Sequence, residues 1–152
     1  MTREEFYEAL KNAKTEHEKV LVAMDYNQEA EQIFYNHLPK SFKEERKRKY
    51  TEMLELFLYD FCIAEVQDPV GFDQAYIYQE DFMNYVIDEK KVTDTGVRLA
   101  MTVINRLYQY LYEETGDVAY RKTHSRTVRI AHAYSFYWQL LSEKNKTPKK
   151  RR

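Results

Sequence analysis

The sequence predicts an all-α fold: one bundle of about five to six helices followed by a disordered basic tail. Three observations carry this. The 152 residues include only three Gly and three Pro, too few turn-formers for a β-rich chain. Apolar residues recur at helical spacing through most of the length. Polar capping residues stand in front of several of these stripes. At 43% apolar and 32% charged residues the chain is globular in composition and long enough to bury a core.

Thr2 and Glu5 form a capping box, in which each side chain satisfies the other's free backbone N–H. Phe6, Leu10, Ala13, Val20 and Leu21 follow on one stripe, with His17 among them as a partly buried residue. Asp25 and Gln28 begin a second, short helix carrying Ala30, Ile33, Phe34, His37 and Leu38, which Pro39 ends. Residues 1–39 thus read as a helical hairpin packed on residues 41–143. Ser41 and Glu44 make a further box and open a long helix to about Glu65. Its charged first turns, Lys43 to Lys49, are expected to project as a basic stem. Its second half, with Tyr50, Met53, Leu54, Phe57, Leu58, Phe61 and Cys62, is expected to pack.

The stretch from Gln67 to Phe72, with Pro69 and Gly71, is the clearest break. Gln79 to about Glu89 is a short helix. Thr93 or Thr95 caps the next, which runs through Val97, Ile104 and Leu111 to Gly116, where a left-handed residue is wanted. A last helix spans about Thr123 to Glu143, and residues 144–152 are a basic tail with nothing apolar to pack.

The charge is sorted along the chain. Residues 51–96 hold two Lys/Arg against eleven Asp/Glu, and residues 119–152 hold ten against one, within a total of −1. A shorter basic run, residues 40–50, holds six against two. Such sorting points to a strongly signed face and a charged partner.

Several chemistries are excluded on sequence grounds. His17, His37, His124 and His132 are scattered, Cys62 is alone in an apolar setting, and no metal-ligand spacing occurs. The three Gly are isolated, so no phosphate loop exists, and Asp68 to Glu80 lacks the pattern of a calcium loop. No enzyme, cofactor or small-molecule substrate is expected. No apolar run approaches the ~20 residues of a membrane span, and one Cys gives no disulfide, so a cytoplasmic protein is expected.

The segment from Tyr50 to Gly116 resembles a family pattern. An apolar helix, Tyr50 to Phe61, is followed by a loop and a short helix, Tyr78 to Ile87. A capped helix from Thr95 to Gly116 then carries Arg98 and Arg106 and ends in aromatic residues before the Gly. This order is similar to the SAM-like core-binding domain of tyrosine recombinases and phage integrases. The resemblance implies a phage or mobile-element origin, contact with DNA, and a DNA side for Arg98 and Arg106. The family's catalytic set has no counterpart: His124-Ser-Arg126 with Tyr134 has the wrong His–Arg spacing.

Two readings of function follow. In the first, the chain is a non-catalytic DNA-binding regulator or accessory protein that binds through Lys43, Arg46, Lys47, Lys49, Arg98, Arg106, Arg121, Lys122, Arg126 and Arg129. The last four surround the predicted start of the final helix, whose free N–H groups would assist phosphate binding. In the second, it is a protein-interaction module, possibly an inhibitor. A Tyr-rich acidic face, Tyr59, Asp73, Tyr76, Tyr78, Glu80, Asp81 and Tyr85, then docks on a basic partner. Pairing of the two signed blocks within the molecule, or between copies of it, is the remaining option.

Overall fold

The structure, a computed structural model, describes residues 1–90 and 93–145, with side-chain surroundings for those up to residue 140. The all-α expectation holds: among the described residues there are six α-helices and no strand. No helix among them is long and apolar enough to cross a membrane. The predicted basic tail falls mostly outside the described residues, although Lys144 and Asn145 continue the last helix.

The Thr2–Glu5 capping box forms as read, and it starts α1 (Arg3–Asn12). The break that follows lies earlier than expected. Thr15 accepts the Glu18 N–H at 3.1 Å and starts α2 (Glu16–His37), so Asp25 and Gln28 are interior helix positions. Thr15 and Glu18 occupy capping-box positions, and that local signal outweighs the apolar stripe running across it. His17 is accordingly exposed, as is Leu21, while His37 is half-buried.

Phe42 turns into the core after Pro39 and packs edge-on against Tyr50 at 5.1 Å. Turning Phe42 inward moves the N-cap to Lys43, and Ser41 makes no cap; α3 runs Glu44–Glu55. The chain then continues as a π-helix over Leu56–Glu65, ending with the Val66 N–H on the Phe61 C=O five residues back at 2.8 Å. Phe57, Leu58, Phe61, Cys62 and Ile63 are buried here. An element walled by core on most sides can widen without exposing an apolar face. Gln67 stops it at φ 62, in the left-handed region.

Residues 68–74 form a buried loop held by Asn27. Its amide donates to the Val70 C=O at 3.1 Å and accepts the Phe72 N–H at 2.7 Å. Tyr108 donates to the Phe72 C=O at 2.8 Å. These bonds satisfy backbone groups that would otherwise be buried without partners. Gly71 sits against Phe6, Tyr26 and Asp73, and the rings of Phe6, Tyr26 and Phe72 form one stack.

A single 3₁₀ turn (Ala75–Tyr78) leads into α4 (Gln79–Asp88). Of the two caps the sequence offered, Thr93 and not Thr95 caps α5 (Asp94–Thr115), and Gly116 closes it at φ 70 as the sequence indicates. α5 is the central helix, packed against α2, α3, α4 and α6. α6 (Val118–Asn145) begins some five residues before its predicted start, because the Asp117 carboxylate accepts the Ala119 N–H at 2.9 Å. It lies along α5, with Tyr120 and Thr127 buried and the Trp138 indole donating to Asp94.

Candidate nucleic-acid interface

The first turns of α3 lie beside the first half of α5, and a cleft of about 710 Å³ opens between them. Lys43, Arg46 and Lys49 line one wall, three residues apart and so on neighbouring positions of the helix surface. Arg98 lines the other, beside Thr95, Leu99 and Thr102. The one carboxylate in the lining is Glu45, which pairs with Lys49 at 3.8 Å.

What holds Arg46 in place is aromatic rather than acidic. The Arg46 guanidinium lies 3.9 Å from the centre of the Phe42 ring and 5.7 Å from that of Tyr50. Arg106, from α5, approaches the same two rings at 5.5 and 5.4 Å and donates to the Tyr110 hydroxyl at 3.4 Å. Among the described residues no carboxylate comes within 4.0 Å of Lys43, Arg46, Arg98 or Arg106. The predicted basic stem is therefore docked by Phe42 and Tyr50 instead of projecting. Phe42 was missed in the sequence, since it lies before the N-cap of α3 and only Tyr50, four residues after Arg46, has the helical spacing for such a contact.

The structure thus brings together Lys43, Arg46, Lys49, Arg98 and Arg106. It separates the rest. Lys47 turns towards α2, 5.4 Å from the Tyr35 ring and 3.8 Å from Glu44. Arg121, Lys122 and Arg129 are exposed on α6 but line neither the cleft nor the hollow beside it. Arg126 lies over Tyr76 at 5.3 Å. Because α6 begins at Val118, Arg126 and Arg129 sit two turns or more inside the helix, away from its free N–H groups, and only Arg121 and Lys122 stay near that end.

A second, shallower hollow of about 320 Å³ adjoins the cleft between α5 and α6, and Arg98 and Thr102 line both. Met101, Val128 and Ala131 are its apolar lining and Asn105, His132 and Ser135 its polar lining, of which His132 and Ser135 are exposed. Nothing in the sequence flagged it, since it depends on the pairing of two helices.

The predicted acidic, Tyr-rich face does not form one surface. Asp73 is buried, held by Arg3 at 3.2 Å and by the Tyr7 hydroxyl at 3.0 Å beneath α1. Tyr59 donates to Glu31 on α2, and burial with that carboxylate pushes its phenol well above the usual range. Tyr78 donates to Asp68, a bond that with partial burial pushes its phenol up to about 12. Tyr76 packs on Tyr108, and Tyr85 on Phe61. Glu80 and Asp81 alone of the carboxylates proposed are exposed, at the start of α4. Burial also pushes the Cys62 thiol far up, as an inert core cysteine requires.

Among the described residues no three His, Cys, Asp or Glu side chains are grouped to hold a metal. The chain matches no protein-family model, no curated protein and no solved structure.

Proposed function

We propose that the chain is a non-catalytic DNA-binding protein, a regulator or accessory factor, and that it takes the phosphate backbone in the cleft between α3 and α5. The observation that carries this is the set of cleft cations without a carboxylate partner, Lys43, Arg46 and Arg98, with Arg46 held over Phe42 and Arg106 close by over the same two rings. A guanidinium held over a ring, as Arg46 is over Phe42, has lost part of its rotamer freedom while none of its N–H groups is taken by a carboxylate. It is prepared to donate two parallel hydrogen bonds to a phosphate. Lys43 and Lys49 add point charges along the same wall, and Arg98 faces them.

Contacts of this kind position a nucleic acid and set its salt dependence without reading sequence. If Lys43, Arg46, Lys49 and Arg98 each neutralise one phosphate, the logarithm of the binding constant falls with that of salt concentration with a slope of about −3 to −4. Anisotropy titrations of labelled DNA at stepped ionic strength measure it. Arg46→Ala with Arg98→Ala lowers the steepness by about two. Absence of binding at low salt, or an unchanged slope in the double variant, would overturn the proposal. A protein partner docked on the acidic, Tyr-rich face has less support, because the residues proposed for it lie apart and Asp73 is buried.

A further inference from the structure

Resting on that reading, we infer that the nucleic acid is single-stranded, with its phosphates in the α3–α5 cleft and one base in the adjoining α5–α6 hollow. Three features point the same way. The cleft is concave and carries cations on both walls, Lys43, Arg46 and Lys49 against Arg98. A duplex presents phosphates on the outside of a stiff cylinder, whereas a single strand can enter between two walls. The hollow next to it has the make-up of a base site: an apolar lining of Met101, Val128 and Ala131 for the face of a ring, and hydrogen-bonding groups on Asn105, His132 and Ser135 for its edge. The two are continuous, because Arg98 and Thr102 belong to both linings. A strand held by its phosphates along α3 passes Arg98 and lays its next base over Ala131.

Asn105 adds a chemical reason. Its side-chain oxygen is shut away from solvent and accepts no hydrogen bond, a state that costs free energy. An amide turned so that its oxygen faces the hollow can accept a hydrogen bond from a base, since every unpaired base carries an N–H donor on its pairing edge. Thymine N3–H is one such donor, so an oligothymidylate is a fair probe as well as one free of internal pairing.

The test compares three labelled probes of about 12 nucleotides with the full chain: oligothymidylate, the same strand with abasic sites throughout, and a duplex. The expected result is that oligothymidylate binds about 10-fold more tightly than the abasic strand, and more tightly than the duplex in spite of the duplex's higher charge density. Ala131→Leu, which fills the hollow, and His132→Ala, which removes part of its exposed polar lining, bring oligothymidylate down to the abasic level. Equal affinity for base-bearing and abasic strands in the unaltered protein would overturn the inference, as would a preference for the duplex. Either result leaves the cleft as a phosphate site. Binding that ignores Arg46→Ala with Arg98→Ala overturns the cleft reading itself.

Discussion

Replacing Gly71 with Ala tests the packing that joins α1, α2 and the buried loop. An added Cβ would stand 2.7 Å from Asp73 Oδ1, 2.7 Å from Tyr26 Cε2 and 2.8 Å from Phe6 Cε2, where ordinary contact needs 3.4 Å or more. None of the three neighbours can yield alone. The Tyr26 ring is stacked between Phe6 at 4.1 Å and Phe72 at 4.6 Å, and Asp73 is tied through its other oxygen to Arg3 and Tyr7. Overpacking of this kind costs up to about 3 kcal/mol. Gly71 does not have a positive φ, so the backbone accepts Ala, and the stiffer unfolded chain returns about 0.4–1 kcal/mol. The net loss is about 2 kcal/mol, or a Tm lower by about 4–8 °C for a chain of this size. Thermal and urea unfolding followed by the helical circular dichroism signal measure both quantities. Gly116→Ala is the control: nothing lies within 4 Å of its Cβ, and the cost comes from the backbone at φ +70, about 1–2 kcal/mol. A Tm within about 1 °C of the unaltered protein for Gly71→Ala would refute the reasoning.

Three further outcomes are expected. Asn27→Ala leaves the Phe72 N–H and the Val70 C=O buried without their partner and lowers stability by about 2–4 kcal/mol; urea unfolding reads this, and a change below about 1 kcal/mol would contradict the role given to Asn27. Burial raises the phenols of Tyr108, Tyr59, Tyr26 and Tyr7 above their ordinary value of 10.0. The unfolded chain therefore releases protons before the native one, so the contribution of these four phenols to stability is constant below pH 10 and is lost as pH rises above it; denaturant melts at stepped alkaline pH read the fall, and stability that stays flat above pH 10 would contradict their burial. Cys62 is inaccessible and its thiol is pushed up by burial, so a thiol reagent modifies it at the rate of unfolding, and fast modification of the native chain would place it at the surface.

Local signals were legible in the sequence wherever a helix end depended on residues close together. The Thr2–Glu5 box, the Thr93 cap and the left-handed Gly116 all formed. The Thr15 cap was equally local, but an apolar stripe running through Ala13 to Val20 concealed it. Ser41 and Glu44 had the spacing of a box and did not form one, because burial of Phe42 decides where that helix begins. The π-helical turn left no trace: Leu56 to Ile63 is apolar almost throughout, so its pattern sets no phase. The cations of α3 were visible as a group, since a helix keeps consecutive charges together. Their meeting with Arg98 and Arg106 was not, since it depends on how α3 packs against α5.

The fate of the charge sorting follows from the same distinction. Carboxylates of the acidic block are taken up singly and in different places: Asp73 by Arg3, Asp68 by Tyr78 and Asp94 by Trp138. Among the described residues none of the ion pairs joins that block to Arg121, Lys122, Arg126 or Arg129. Arg46, Arg106 and Arg126 rest on aromatic rings instead. The distinction has an electrostatic consequence. A guanidinium paired with a carboxylate presents almost no net charge to an approaching ligand, whereas one stacked on a ring presents its full charge and its hydrogen-bonding edge. The Tyr and Phe content of this chain therefore does more than fill the core. It holds Arg46 without neutralising it, which the proposed phosphate site requires and a surface built only for stability does not.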